Sequence, residues 1–491
     1  MACGDDAENG GYGGGGVGPG AGPGTVSTKA SGTSGSATHG TGSGPGTGPG
    51  GQPPSPDPLV EFVPAECAEL DQSQPSVLFL SADDSNSMAS PVRARDVLLN
   101  HGTPYDIRTF EFLNYYRIDY PAPEYPALAI YPDLKNATAP GDYDLQIGVR
   151  SFDALTPRRP ITLTLVLDTS GSMEGERMDR LKAVVKAMAT QLKPGDIVSA
   201  VSWNTSNLVL LDGHTVAGPN DPTLLGLANG LTSNGGTDLH AGLVAGYDLA
   251  AANYGSMRLN RVVLISDGEA NTGITDEELI ALHSEDADEE GIYMVGIAVG
   301  PGGNDALMNV VTDKGRGASL FIDSVAEATA IFTTRFDEVM EVAARSVEVE
   351  LTLPWYFQMH DFFGEEFSRD PTQVEPQHLA PSDAMVLNQV IRACDPSVVV
   401  GSDKVRVDVR WTTPLGYLDN ETSVELTIDQ LLAAPSPHLA KGKAIVAYAE
   451  ALKTGTQADL HAAHEKVVAA NPGNDVELGE IQHLLESHAN F

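Results

Sequence analysis

A buried strand that ends in a polar loop constrains this chain more than any other feature. Residues 161–167 are almost all aliphatic or β-branched, which is typical of a strand covered on both faces in a parallel sheet. The strand leads directly into Asp168, Ser170 and Ser172, and a helical pattern starts at about Glu174. Because open α/β sheets bind ligands at the carboxyl ends of their strands, we predict a ligand site in this loop.

The oxygen-bearing side chains of this loop favour a hard divalent cation. Asp168, Ser170 and Ser172 alternate along the chain, so a tight loop can turn all three toward one point. Gly171 gives the backbone the room that such a turn requires. Carboxylate and hydroxyl oxygens suit Mg²⁺, Mn²⁺ or Ca²⁺, whereas Zn²⁺ prefers Cys and His. Three ligands cannot complete an octahedron, so the others must come from later loops, from water or from a partner.

Two later loops could supply these ligands. Residues 234–238 open the helical segment Leu239–Ala252 and offer the hydroxyl of Thr237. Residues 261–266 are predicted to form a second buried strand, which ends in the carboxylate of Asp267. The alternative interpretation is that such side chains only cap the helices that follow them.

Together these loops resemble the metal-ion-dependent adhesion site of the von Willebrand factor type A domain. That site consists of D-x-S-x-S, then a Thr, then an Asp, and its positions are matched in order by Asp168, Ser170, Ser172, Thr237 and Asp267. The resemblance implies that the three hydroxyls bind Mg²⁺ (or Mn²⁺ or Ca²⁺) directly. It implies that the two carboxylates hold the ion at least partly through water. It also implies a protein partner that presents an Asp or Glu to the ion.

The alternation of strands and helices over residues 159–342 predicts a doubly wound, mainly parallel, Rossmann-like α/β sheet, with helices at 276–289, 304–314 and 325–341 among others. The whole chain divides into five predicted segments. In order, these are a disordered Gly/Pro/Ser/Thr tether (1–58), an N-terminal flank of strands and short helices (59–158), the von Willebrand A domain (159–342), a β-rich domain (343–432) that includes a strand at 398–400, and C-terminal helices (433–491).

The flanks resemble those of YfbK-like bacterial proteins that carry a von Willebrand A domain. The aromatic and proline-rich residues 112–116 and 119–123 carry this resemblance. It implies that the strands at 76–150 and 345–430 form one discontinuous β-rich domain around the metal-binding domain. By their spacing, the histidines of the C-terminal segment are predicted to be exposed; they are His461, His464, His483 and His488.

Composition excludes several classes of function. With 29 Lys and Arg against 67 Asp and Glu, the net charge of −38 repels phosphate, so nucleic acids and anionic membranes are poor partners. No apolar run reaches the ~18–20 residues of a helical membrane span. We find no nucleophile elbow, H-E-x-x-H motif or phosphate loop, and therefore expect a binding protein rather than an enzyme.

The three cysteines bear on where the protein resides. Cys3, followed by a long Gly/Ser/Pro tether, resembles the start of a mature bacterial lipoprotein, which implies a lipid on Cys3 as the attachment to the cell envelope. Cys67 and Cys394 either form a disulfide in an exported protein or are two unrelated buried thiols. The alternative functions are a cytoplasmic partner of an AAA+ ATPase and a hydrolase with an unrecognised active site.

Overall fold

The computed structural model describes residues 66–83, 86–268, 291–300, 308, 311–312, 317–415 and 417–491. The predicted tether at 1–58 and the predicted helix at 276–289 lie outside these residues, as does most of the predicted helix at 304–314. Within the described residues the chain forms a central α/β sheet, two further antiparallel sheets and a set of C-terminal helices. None of the helices in this part of the chain is long and apolar enough to cross a membrane.

The strands have the following bounds in chain order: β1 Ser76–Ser81, β2 Ala129–Asn136, β3 Asp142–Arg150, β4 Ile161–Asp168, β5 Ile197–Trp203, β6 Asn207–Thr215, β7 Leu259–Ser266, β8 Ile292–Val299, β9 Ser319–Ile322, β10 Ala344–Leu353, β11 Phe357–Phe362, β12 Glu366–Ser368, β13 Gln377–Leu379, β14 Ala384–Ala393, β15 Lys404–Thr412 and β16 Asp419–Thr427. The α-helices are α1 Ala89–Leu99, α2 Thr109–Tyr115, α3 Glu176–Gln191, α4 Pro222–Gly230, α5 Leu239–Ala252, α6 Val325–Thr334, α7 Phe336–Met340, α8 Ile428–Ala433, α9 Pro437–Thr454, α10 Gln457–Ala470 and α11 Val476–Glu486.

The central sheet has the strand order β6-β5-β4-β7-β8-β9, in which β6 is antiparallel to β5 and the other neighbours are parallel. Every residue of β4, β7 and β8 is buried, as expected for strands covered on both faces. The predicted mainly parallel α/β sheet is therefore confirmed. Since β4 and β7 are parallel neighbours, Asp168 at the end of β4 and Asp267 just after β7 lie at the same edge of the sheet.

Helix α5 lies close against this sheet because two of its residues lack a side chain. A Cβ on Gly242 would lie 2.6 Å from Cγ of Trp203, and one on Gly246 would lie 2.3 Å from Cγ2 of Val166. This close approach fixes the amino end of α5, which follows Thr237, near the carboxyl ends of β4 and β5. The fold thereby holds the second predicted ligand loop beside the first.

The other two sheets form a β-sandwich from both flanks of the chain. One has the order β12-β1-β10-β15-β16, with β13 beside β10, and the other has the order β11-β14-β3-β2. Leu78 of β1 pairs with Leu351 of β10, and Ile147 of β3 pairs with Leu387 of β14. These four side chains lie in one hydrophobic core that the two sheets share. The expected joining of the strands at 76–150 with those at 345–430 is confirmed.

A disulfide joins the segment before β1 to the end of β14. Cys67 and Cys394 form this bond with their Cα atoms 5.2 Å apart, across a sequence separation of 327 residues. Cys67 lies in a short 3-10 turn before β1, and Cys394 directly follows β14. Of the two alternatives for these cysteines, the structure shows the disulfide.

A buried ionic cluster connects three segments of the chain. Arg95 of α1 contacts Asp323 at 2.9 Å and Glu327 of α6 at 2.7 Å, and it also reaches Glu480 of α11 at 3.2 Å. Its guanidinium donates a further hydrogen bond to the hydroxyl of Tyr115. The N-terminal flank, the central domain and the C-terminal helices are therefore joined through one arginine.

Three local predictions were wrong. The predicted helix at 325–341 is interrupted at Arg335, which donates to the carbonyl oxygen of Tyr115 and lies over its ring. The predicted strand at 398–400 is absent from the described residues, because Pro396–Val398 forms a 3-10 turn there. His488 is buried rather than exposed, since it follows α11 and packs inward.

Candidate metal centre

The first ligand loop is held rigidly by hydrogen bonds. Asp168 and Ser170 are fully buried, and Ser172 is half-buried. Oδ1 of Asp168 accepts from the backbone N–H of Ser170 at 2.8 Å, and Oδ2 accepts from the hydroxyl of Ser266 at 2.6 Å. Because Ser266 ends the neighbouring strand β7, the carboxylate of Asp168 is fixed both by its own loop and by that strand.

Two serine hydroxyls converge next to this carboxylate. Oγ of Ser170 lies 3.0 Å from Oγ of Ser172, with the 3-10 turn Gly171–Met173 bringing them to the same side. The N–H of Gly171 donates to the carbonyl oxygen of Gly235 at 3.1 Å, so the first loop contacts the second directly. A Cβ on Gly171 would lie 3.1 Å from that same oxygen, which explains why the loop has glycine there.

Capping does not account for these side chains. Helix α3 begins at Glu176 after Gly175, with no side-chain cap, so the helix does not need Asp168, Ser170 or Ser172. Helix α5 is capped by Asp238, whose carboxylate accepts from the N–H of Ala241 at 3.0 Å. Thr237, the residue before that cap, is buried at the edge of the sheet. The capping alternative therefore applies to Asp238 and not to the predicted ligands.

A positively charged arginine side chain lies beside the carboxylate of the third loop. Asp267 is fully buried, and its Oδ2 accepts from Nη1 of Arg177 at 2.8 Å. The same nitrogen donates to the carbonyl oxygen of Ser172 at 2.9 Å. A Cβ on Gly300 would lie 2.7 Å from Cγ of Arg177, so the arginine stem packs where only glycine leaves room. Arg177 thus joins the first and third loops by donating to both.

Neither Arg177 nor Ser266 was singled out from the sequence. Arg177 lies in the first turn of α3, where a basic residue resembles any solvated helix position. Ser266 is the last residue of a buried strand, and its hydroxyl could have been noticed because it precedes Asp267 directly. Only the alignment of β4 with β7 shows that it donates to Asp168.

The electrostatics of the site favour a positive ion. Burial raises the pKa of Asp168 to about 6, hydrogen bonds from Ser266 and Ser170 oppose this shift, and the charge of Asp267 adds to it. Two buried carboxylates with neighbouring hydroxyls form the all-oxygen donor set that Mg²⁺ or Mn²⁺ prefers. Within the described residues no group of three or more His, Cys, Asp and Glu could hold a metal ion, so a cation here depends on hydroxyl ligands.

Comparisons with known proteins identify the domain that carries these loops. Residues 163–269, which include all five candidate ligands, match the family model of the von Willebrand factor type A domain. The chain is 23% identical over 393 residues to the uncharacterized protein YfbK of Escherichia coli, covering 72% of this chain and 68% of that one. It is 24% identical over 196 residues to the uncharacterized protein sll0103 of Synechocystis, covering 40% of this chain and 46% of that one.

A solved structure, the von Willebrand factor type A protein from Catenulispora acidiphila, superposes with a TM-score of 0.48 at 14% identity, covering 73% of this chain and 89% of that one. The family match includes strands β4 and β7, whose carboxyl ends carry four of the candidate ligands, and the loop before α5 that carries Thr237. This chain therefore contains a von Willebrand factor type A domain, a type of domain that commonly mediates protein–protein interactions.

Proposed function

We propose that this protein binds a partner protein through a divalent cation, Mg²⁺ or Mn²⁺ (or Ca²⁺), held by Asp168, Ser170, Ser172, Thr237 and Asp267. One observation carries most weight. Two neutral hydroxyls, 3.0 Å apart, lie next to a buried carboxylate that hydrogen bonds from its own loop and from strand β7 hold in place. When bound, the cation supplies an electrophilic centre that an Asp or Glu of the partner can ligate.

Each residue has a distinct part in this proposal. Ser170, Ser172 and Thr237 bind the ion with uncharged oxygens, so they leave most of its positive charge for the partner's carboxylate. Asp168 and Asp267 hold the ion at least partly through water. Because both carboxylates are buried, the bound ion does not exchange freely with solvent. The short Gly171–Gly235 contact keeps the loops in register before the ion or the partner arrives. No step of this function requires a catalytic base.

We further propose that the protein works in the bacterial cell envelope. The disulfide Cys67–Cys394 supports this location, because disulfides persist in oxidising compartments and are rare in the reducing cytoplasm. Cys3, with the Gly/Ser/Pro tether behind it, supports attachment through a lipid. Metabolic labelling with a radioactive or clickable fatty acid, in cells expressing the natural gene or its Cys3→Ala variant, tests that attachment. Equal labelling of both proteins, or of neither, contradicts it.

Titration calorimetry of Asp168→Ala with Mg²⁺ and Mn²⁺ tests the metal site. We expect the variant to lose metal binding while circular dichroism shows an unchanged fold. The matched control is Asp179→Ala, which removes an exposed carboxylate from helix α3, just after the first ligand loop, and should bind metal like the natural protein. Unchanged metal binding in Asp168→Ala contradicts the assignment.

A pull-down from envelope extract, with and without EDTA, tests the bridging role. The natural protein should retain a partner in Mg²⁺ and release it in EDTA. Asp168→Ala should retain none, and Asp179→Ala should behave like the natural protein. A partner that stays bound in EDTA means that recognition takes place elsewhere on the protein.

A further inference from the structure

An arginine-rich pocket lies at the opposite edge of the central sheet from the metal loops. Its cavity of about 250 Å³ opens at the amino ends of β7 and β8, between the central sheet and the hairpin that joins β15 to β16. Four arginines line it: Arg159, Arg258, Arg261 and Arg345. In a chain with a net charge of −38, such a concentration of positive charge requires a physical reason.

Two of these arginines have no carboxylate partner in the described part of the chain. Arg258 donates to neutral oxygens only, namely the hydroxyl of Thr162 at 2.8 Å and the carbonyls of Ile161 at 2.7 Å and Gly195 at 2.8 Å. The guanidinium of Arg345 forms no hydrogen bond or ion pair with any described residue. The fold thus fixes the charge of Arg258 and leaves all the donors of Arg345 available.

Aromatic rings hold the free guanidinium in place. The guanidinium carbon of Arg345 lies 4.6 Å from the ring centroid of Tyr417 and 5.3 Å from that of Tyr293. Such cation–π contacts orient a guanidinium without using its N–H groups. Arg261 also lies over the Tyr293 ring, at 4.9 Å, while donating to the carbonyl of Met340. The arrangement keeps the fork of Arg345 able to bind an oxyanion in bidentate fashion.

The fourth arginine of the pocket forms an ion pair within the chain and has a structural role. Arg159 pairs with Glu341 at 3.0 Å, so its charge is compensated within the chain. The chain has 67 acidic residues, yet neither Arg258 nor Arg345 pairs with a carboxylate of the described residues. Their charges are instead directed to a cavity, which is the arrangement of an anion-binding site.

The rim of the pocket is apolar and exposed. Tyr254, Met257 and Tyr417 are between 46% and 70% exposed, and Leu415 lines the same opening. Large apolar side chains that cluster at the opening of a charged pocket are typical of binding sites for ligands with an apolar part. The ligand should therefore combine an oxyanion with an apolar or aromatic group.

The size of the pocket and the charge of the chain limit the ligand further. A cavity of about 250 Å³ is small for a ligand site, and suits a compact molecule. The acidic surface repels a polyanion strongly, because many of the polyanion's charges are repelled together. A small anion is affected only by the charges within a screening length of ~10 Å.

We propose that this pocket binds a small organic anion whose carboxylate or phosphate pairs with Arg258 and Arg345, with its apolar part against Tyr417 and Met257.

Calorimetric titration of the full-length protein with benzoate, phenyl phosphate and the neutral benzyl alcohol tests this inference. Each titration is made in Mg²⁺ and again in EDTA, because EDTA removes the metal centre as an alternative acceptor for the anion. At least one of the two anions should bind in both conditions, and the better of them identifies the headgroup. Benzyl alcohol should bind at least tenfold more weakly, a difference of about 1.4 kcal/mol.

Variants then assign the binding to the pocket. Arg345→Met should weaken anion binding at least tenfold, and it should not unfold the protein because the guanidinium of Arg345 makes no hydrogen bond with any described residue. The matched control is Arg406→Met, which removes a half-exposed arginine paired with Asp408 on β15, outside the pocket. Equal anion affinity in the two variants overturns the inference, as does benzyl alcohol binding as well as benzoate. No binding of either anion up to about 10 mM also overturns it.

One further outcome separates this pocket from a protein-docking surface. If Arg345→Met loses the partner captured in the envelope pull-down while the natural protein binds neither anion, the pocket docks a protein, and the small-anion inference is wrong. The titrations in EDTA do not depend on the metal centre, so either site can fail without the other.

Discussion

Replacing Arg177 with methionine should strengthen metal binding. In the structure Nη1 of Arg177 donates to Asp267 at 2.8 Å, so this guanidinium already supplies positive charge to the carboxylate that the cation needs. A divalent cation must either displace this contact or lie close to a second positive charge. Both alternatives cost free energy, and the methionine variant removes that cost while its stem can still pack against Gly300.

The size of the effect follows from the contact that is lost. A hydrogen bond to a charged group contributes about 1.5–3 kcal/mol net. The side chain of Arg177 is 24% exposed, so water solvates the guanidinium when it moves away from Asp267 and offsets part of the lost hydrogen-bond energy. The lower end of the range therefore applies. We therefore expect Arg177→Met to bind Mg²⁺ or Mn²⁺ more tightly by about 1.4 kcal/mol, which is tenfold.

Calorimetric titration with Mn²⁺ measures this difference directly. The matched control is Arg180→Met, which removes the same charge one turn further along α3, where the partner is the exposed Glu176. Its metal affinity should differ from that of the natural protein by less than about twofold. Weaker metal binding in Arg177→Met would refute the reasoning, because it would mean that Arg177 positions Asp267 for the metal rather than competing with it.

Three further predictions concern the partner, the fold and pH. Thr237→Ala removes one neutral ligand oxygen, so Mg²⁺ should still bind in calorimetry. Affinity for the captured partner should fall at least tenfold, or about 1.4 kcal/mol. Equal partner affinity would mean that the metal is only structural. Arg95→Met leaves Asp323 and Glu327 without their counter-ion, so the free energy of unfolding measured in urea should fall by about 3 kcal/mol. A loss below about 1 kcal/mol would mean that the ionic cluster adds little stability. Burial lowers the pKa of His488, so protonation favours the unfolded chain and stability should fall as pH drops below about 6.5. His488→Gln should flatten that dependence in urea unfolding at pH 5 and 7, whereas a substitution of the exposed His483 should not.

The hydrogen bonds of His488 agree with this direction. Its Nδ1 accepts from the N–H of Asn490 at 3.1 Å, so a proton added to that nitrogen would break the bond. Its Nε2 is buried and has no hydrogen-bond partner among the described residues. An imidazolium would therefore gain no acceptor in the folded chain. The spacing of histidines along a helix could not reveal this, because burial depends on how the chain packs after α11 ends.

The metal loops could be predicted because their signal is local and repeated. Strands β4 and β7 are mostly aliphatic and end directly in Asp168 and in Ser266-Asp267. In a parallel sheet the carboxyl ends of such strands meet at one edge, so adjacency in space follows from two separate patterns in the sequence. The same local signal says nothing about Arg177, whose contact with Asp267 spans 90 residues.

The β-sandwich was harder to predict because its pairings join distant residues and its buried positions include polar groups. Strand β14 was not predicted, since Asn388 and Gln389 interrupt its apolar pattern although both are buried. Asn388 donates to Oε1 of Gln146 at 2.8 Å, and Nε2 of Gln146 donates to the hydroxyl of Tyr120 at 2.7 Å. These hydrogen bonds satisfy polar groups between β14 and β3, and only the folded pairing makes them possible.

The disulfide also determines how the protein bears mechanical load. Tension that enters from the amino-terminal side reaches Cys67 before β1, and the S–S bond carries it across to Cys394. From there it passes into β14, which is held in register along its whole length by β3. When the chain is pulled at points outside the disulfide loop, strand β1 is thus shielded from being peeled off β10. The loop, which spans a sequence separation of 327 residues and roughly 1,100 Å of extended chain, then cannot be drawn out. A pull through a partner bound at the metal centre acts inside this loop, so the bond then shares the tension between β1 and β14 until it is reduced.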